Sequence, residues 1–207
     1  MNLEPIIEII LTKRLKTSQA RSLLAGISGI DASGKGFLTA KLADQIGRRG
    51  FNVAVVNVDG WLNLPHIRFD PQNPAQNFYK NALRLEELFE QLILPLKENR
   101  RVSLTADFAE ETAAGYRKHE YFYEDVDIIL LEGIFLFKNE FKKHFDAKFW
   151  IECFFEVALR RAVLRAQENL APADTIRAYE TIYFPAQMIH FTRDNPQNSA
   201  DLIWFNN

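Results

Sequence analysis

Residues 29–36 read GIDASGKG, and this stretch with its flanks constrains the fold more than any other. The run LLAGIS (23–28) before it is short and apolar, as a strand buried on both faces would be. After it, FLTAKLADQIG (37–47) repeats Leu38, Leu42 and Ile46 at helical spacing, with Gly47 and Gly50 as stop signals. A strand that feeds a Gly-rich turn that opens a helix is a phosphate cradle. Glycines let backbone N–H groups turn inward, the helix N-terminus adds its positive end, and a lysine reaches the outer phosphates. Gly29, Ile30, Asp31, Ala32, Ser33, Gly34, Lys35, Gly36 and Phe37 are therefore the expected nucleotide-binding residues. The plain alternative is a Gly-rich turn with a surface lysine. Gly36 departs from the pattern G-x-x-x-x-G-K-[ST], in which a hydroxyl holds Mg²⁺. Mg²⁺ keeps several waters, so a water can stand there. Thr39 is too deep in the helix to substitute directly. Asp31 can reach a metal through water or brace the loop's own N–H groups.

The rest of the chain repeats the strand–helix alternation. FNVAVVNVD (51–59), DIILLEG (127–133) and AKFWIECFF (147–155) read as strands, and ADLIWF (200–205) as a last short one. Residues 3–18, 82–100, 156–170 and 175–184 carry helical spacing, with Pro95 expected to end or kink its helix and Pro185 to end the last. Apolar strands alternating with helices imply one α/β domain over residues 1–207, its parallel sheet covered on both faces. Such a sheet binds ligands at the carboxyl ends of its strands. The 207 residues, 47% hydrophobic with a net charge of −2, fit an ordinary globular core and argue against a nucleic-acid surface. No apolar run approaches the ~18 residues of a membrane span. The N-terminus lacks signal-peptide features. The lone Cys153 reads as a buried strand residue. A cytoplasmic location is the expectation, and assembly with further copies stays open.

Two carboxylates stand at strand ends. Asp59, in VVNVDGWLN, would lie beside the loop, where it can align an acceptor hydroxyl and take its proton. An Asp-Gly turn is an equally good reading of its position. Glu132 closes DIILLEG, the usual place for a group that orients Mg²⁺ or its waters, and Asp59 could share that role. Asp127, at the opposite end of the same strand, gets no chemistry. Arg161 and Arg165, spaced i,i+4, share a helix face that could clamp a phosphoryl group, although spacing alone favours a solvated basic face. Arg160 is on the same helix, and Arg177 is weaker still.

Taken together, GISGIDASGKG (26–36), VDGWLN (58–63), FDPQNPAQNFY (69–79), DIILLEGIFLF (127–137), LRRAVLR (159–165) and YETIYFPAQMIHF (179–191) resemble the uridine kinase/phosphoribulokinase family of P-loop kinases. The resemblance implies a P-loop NTPase three-layer αβα sandwich with a helical lid near residues 160–177. It also implies ATP- and Mg²⁺-dependent phosphorylation of a small-molecule hydroxyl, with uridine or cytidine as the leading acceptor, and no nucleic-acid or membrane partner. Pantothenate, a sugar phosphate or another riboside is the enzymatic alternative, and a non-catalytic nucleotide-binding regulator is the other. Lys35 would contact phosphates, Asp59 would be the base, Glu132 would organise the metal, and Arg161 and Arg165 resemble the lid arginines. Adenylate kinases also carry GKG at the loop's end. Trp61 replaces the family's aromatic two positions after the base. The nucleoside-binding stretch departs: in LTADFAEETAAGYRKHEY (104–121), Asp107 and Phe108 remain, but Ala106 replaces a Tyr and no His stands at the family's position. Arg68, Tyr79, Tyr116 and Arg117 are weak candidates for acceptor contacts, and His119 reads as a surface residue.

Overall fold

A computed structural model describes residues 2–165 and 170–207. In chain order its principal elements are α1 (Glu4–Lys16), β1 (Leu23–Gly29), α2 (Lys35–Gly47), β2 (Val53–Asn57), α3 (Pro65–Arg68), α4 (Pro74–Asn81), α5 (85–99), β3 (Val102–Phe108), β4 (Arg117–Tyr123), β5 (Ile128–Gly133), β6 (Ala147–Glu152), α6 (Phe155–Arg165), α7 (172–194) and β7 (Leu202–Phe205). Five strands form a parallel sheet in the order β2-β5-β1-β6-β7. Every residue of the central β1 and of β5 is buried, which is why both read as unbroken apolar runs.

Side-chain alternation splits the sheet between two cores. Leu23, Ala25 and Ile27 of β1 face Ile6, Ile7 and Ile10 of α1 and Leu38, Leu42 and Ile46 of α2. Leu24 faces the other way, into a larger, Phe-rich core with Leu88, Phe89 and Leu92 of α5 and Tyr183 of α7. The result is the three-layer αβα sandwich that the sequence implied. Asp127 stays remote from the loop and closes the bottom of the sheet with Arg14 and Arg100, each at 2.9 Å.

Two expectations need correction. Pro185 does not end a helix, and Pro95 does not end its own. In α5 the turn Phe89–Ile93 widens to i→i+5 spacing just before Pro95, and in α7 the turn Tyr179–Tyr183 does the same before Pro185. A proline lacks the N–H for the i−4 carbonyl and its ring crowds that carbonyl; a single wide turn relieves both, so the helix continues. An addition is the hairpin β3–β4, an antiparallel pair outside the main sheet, within a stretch to which the sequence reading assigns no element. Its side chains alternate between half-buried and exposed, and its facing residues include the ion pair Asp107–Lys118 at 2.8 Å. Its first strand alternates apolar and polar residues from Val102 to Phe108, while the second opens on Arg117, Lys118 and His119 and carries a weaker signal. Of the expected helical lid, α6 and the first part of α7 are present, while residues 166–169 lie outside the described residues.

Candidate active site

The loop after β1 folds as its glycines allow. Gly34 adopts φ +92, a conformation L side chains resist, and Ala32 sits at φ 55. Lys35 then opens α2 with its side chain buried, and its ammonium donates to the carbonyl of Ile30 at 2.9 Å. The lysine is thus folded back across the loop it serves. The buried hydroxyl of Ser33 has no partner among the described residues, leaving a polar atom at hand inside the loop. Thr39 turns away: its hydroxyl donates to the Lys35 carbonyl at 2.9 Å.

Asp59 reaches the same place from β2. Asn57 caps the turn by accepting from the Asp59 N–H at 2.7 Å. Gly133 sets how close that turn lies to β5, since a Cβ there would stand 2.1 Å from Val58. Asp59 and Glu132 are therefore delivered side by side. The cleft over the loop, about 320 Å³, is lined by Lys35, Gly36, Asp59, Glu132, Asp31 and Arg165, among others. A Cβ on Gly36 would meet only Glu132 Oε1, at 3.5 Å. The missing hydroxyl and the Glu132 carboxylate thus share one corner.

Electrostatics follow from this crowding. Burial lifts Glu132 from 4.5 to about 7; Lys35 pulls the other way, while Asp59 and Asp31 add to the rise. Burial also raises Asp59, opposed by Lys35 and reinforced by Asp31. The Asp59 side chain remains open to water in the cleft. Arg165 is raised: burial alone would lower it, and Asp31, Tyr179 and Asp59 more than compensate.

The expected residues divide into two groups. Ala32, Gly34, Phe37 and Asp31 line the cleft with Lys35 and Gly36, and Arg68 lines a smaller cavity beside it. Arg165 reaches Asp31 at 3.6 Å, from α6. Arg161 shares its face but turns to the outside of the loop, donating to the Asn206 carbonyl at 2.9 Å. Trp61 is fully buried, stacked on Tyr121 at 5.8 Å. Tyr79 is buried too; its hydroxyl donates to Asp194 at 2.6 Å, and Asp194 also holds the buried His190 at 2.7 Å. Asp107, Tyr116 and Arg117 sit on or beside the hairpin, engaged by Lys118, Asn63 and Glu110 respectively. None of these last five lines either cavity. His119 packs between Phe108 and Tyr121.

Two loop-bracing residues are not singled out as site residues from the sequence. Asn206 Nδ2 donates to the Ser33 carbonyl at 2.7 Å and sits where a Cβ on Gly34 would be. The Tyr179 hydroxyl bonds Asp31 from the wide turn of α7. Tyr179 opens the stretch YETIYFPAQMIHF, but its role at the loop, like that of Asn206, arises only through the fold.

The architecture is shared with solved structures. A possible uridine kinase from Bacillus stearothermophilus matches with a TM-score of 0.76 at 23% identity, over 99% of this chain and 100% of that one. A candidate fructose transport system kinase from Silicibacter sp. TM1040 matches at 0.73 and 23%, over 99% of each chain. The YGR205w protein matches at 0.61 and 13%, over 98% of this chain and 93% of that one. No family model matches the chain, and neither does any curated protein. At these identities the likeness establishes the fold alone, the α/β sandwich these structures share with this chain.

Proposed function

We propose that this chain is an ATP-dependent phosphotransferase acting on a hydroxyl of a small metabolite. The observation that carries the reading is the convergence of Asp59 and Glu132 on Lys35 in one cleft, with Asp59 also lining a second, smaller cavity. A binding module has no need of a carboxylate poised between two cavities, which favours an enzyme over a non-catalytic regulator.

The residues present fit ATP with Mg²⁺. The loop offers a buried lysine and an unpartnered hydroxyl at Ser33. No cluster of three His, Cys, Asp or Glu side chains able to hold a metal unaided occurs among the described residues. Mg²⁺ asks for less: one or two carboxylates beside substrate phosphates, with waters completing its shell. Glu132, beside Gly36, and Asp59 answer that description. Bound there, ATP and Mg²⁺ would supply the phosphoryl group and neutralise charge on its oxygens.

The protein's own residues do the rest by positioning and field. Lys35 turns from the Ile30 carbonyl to the phosphates. Asp59 accepts the hydrogen bond of the acceptor hydroxyl and aligns it. Glu132 orients the waters at the Gly36 corner. Arg165, held by Asp31 and raised in basicity, offsets charge developing at the transferred group. A cytoplasmic location is proposed with this chemistry; no helix among the described residues is long and apolar enough to cross a membrane.

A nucleoside acceptor, uridine or cytidine, is suggested by the sequence resemblance alone. Of the residues expected to read it, Asp107, Tyr116 and Arg117 stand away from the cavity that Asp59 faces. The test of the kinase reading is ADP release from ATP and Mg²⁺, by coupled assay, over a panel of nucleosides, sugars, polyols and hydroxy acids. Acceptor-dependent release supports it; its absence across the panel overturns it.

A further inference from the structure

The smaller cavity, about 60 Å³, opens onto the loop cleft through Asp31, Asp59, Ile134 and Arg165, which line both. Whatever occupies it presents itself to Asp59. One wall carries Gln187 of α7, only 1% exposed, whose Oε1 has no partner among the described residues. Native interiors rarely leave such an oxygen unpaired, so it marks a place where a ligand completes the bonding. The Gln187 oxygen is an acceptor, so a ligand that pairs it brings a donor. The carboxylates of Asp31, Asp59 and Glu111 line the same space. Arg165 already faces Asp31, and Arg68 gives an N–H to the Glu111 carbonyl. The lining holds three carboxylates against two guanidiniums, so an anionic ligand would meet a net like charge, while a neutral one bearing hydroxyls would meet acceptors at Asp59 and Gln187.

The remaining lining is apolar: Leu62, Phe78, Ile134 and Tyr183. Phe78 and Tyr183 pack at 4.9 Å between centroids and offer ring surface to a C–H face. Hydroxyl acceptors on one side and ring surface on the other match a carbohydrate-like molecule. Size agrees. At about 60 Å³ it has room equivalent to a few waters, which suits a short polyol or small sugar better than a base and a ribose together.

Resting on the kinase reading above, we infer that the phosphate acceptor is a neutral short polyol or monosaccharide whose hydroxyl donates to Gln187 Oε1, rather than a nucleoside. A second hydroxyl of the same molecule faces Asp59. Its oxygen bonds the γ-phosphorus as the bond from that phosphorus to the ADP oxygen breaks. The hydroxyl proton passes to Asp59 and ADP leaves.

The experiment uses the full chain with ATP and Mg²⁺ and compares open-chain polyols and monosaccharides with uridine and cytidine. Turnover is expected in the first group. For the best acceptor, Gln187→Met should raise KM by about tenfold or more, with kcat and calorimetric ATP affinity within about threefold. In the wild type, one deoxy analogue of that acceptor should lose a similar factor, a comparison that stands even if the variant does not fold. Turnover of nucleosides and not of polyols or sugars overturns this inference and leaves the kinase reading intact. An unchanged KM in Gln187→Met, or no penalty for any deoxy analogue, also overturns it. No acceptor-dependent ADP release anywhere in the panel overturns both.

Discussion

The phosphate side and the acceptor side of this molecule are built in different ways. The phosphate side is contiguous: one strand, one turn and one helix place Lys35, Ser33 and Gly36 within a single stretch, so their spacing fixes their geometry. The acceptor side is assembled from distant pieces. Arg68 comes from α3, Phe78 from α4, Glu111 from the loop between β3 and β4, and Tyr183 and Gln187 from α7. Its geometry depends on packing rather than on spacing. The two sides meet at Asp59, which is close in sequence to neither Lys35 nor Gln187 but lies where their cavities join.

This difference can be broken experimentally, beginning at the phosphate side where the largest effect is expected. Lys35→Ala removes the one ammonium folded into the loop and should abolish nucleotide binding measurable by calorimetry. Unchanged affinity would remove the cradle from the account.

Glu132→Gln should have the next largest effect, read without metal as a change in stability. With its folded-state pKa at about 7 against an ordinary 4.5, the folded protein holds that proton more tightly than the unfolded chain does. Below the ordinary value both states are protonated and nothing is lost. Between 4.5 and about 7 stability falls as pH rises, and above that the full penalty stands, on the order of 3 kcal/mol at ~1.4 kcal/mol per pH unit. Glutamine removes the charge. In metal-free buffer its melting temperature should pull ahead of the wild type as pH rises through this window. A difference that does not vary with pH would contradict the burial argument.

A smaller effect is expected at Gly36→Ser. The position has room, with only Glu132 Oε1 at 3.5 Å from a new Cβ. The added hydroxyl should tighten the apparent Mg²⁺ affinity of turnover severalfold, as a direct oxygen replaces a water. The smallest effect belongs to the hairpin. Arg117 pairs with Glu110 at the surface and lies over Phe108. Arg117→Ala should leave acceptor KM within about twofold, as exposed ion pairs contribute little. A large rise would return the hairpin to the acceptor site.

Legibility in the sequence follows the same division. LLAGIS and DIILLEG could be read as central strands because burial on both faces leaves no polar position to confuse the pattern. GIDASGKG could be read because its backbone conformation is a local property of glycine. Asp59 and Glu132 could be placed because strand ends in a parallel sheet share one edge. Pro95 and Pro185 misled because proline's local rule is stated for a regular helix, and one wide turn evades it. VSLTADF does alternate apolar and polar residues, but its partner RKHEYFY opens on charged residues, so only half of the hairpin carried a strand signal. Gln187 was hidden for another reason. In PAQMIHF it looks like any helical glutamine, and its unpaired oxygen exists only once α7 packs beside Phe78.

The central claim is that Asp59 serves both cavities at once, aligning the acceptor while leaving the nucleotide site unaltered. The most direct measurement is acceptor-dependent ADP release by Asp59→Asn beside the wild type, with ATP affinity taken calorimetrically on the same samples. Turnover should fall by roughly 10²-fold or more, the scale of a lost general base, while ATP affinity stays within about threefold. Wild-type turnover in the variant would contradict the claim.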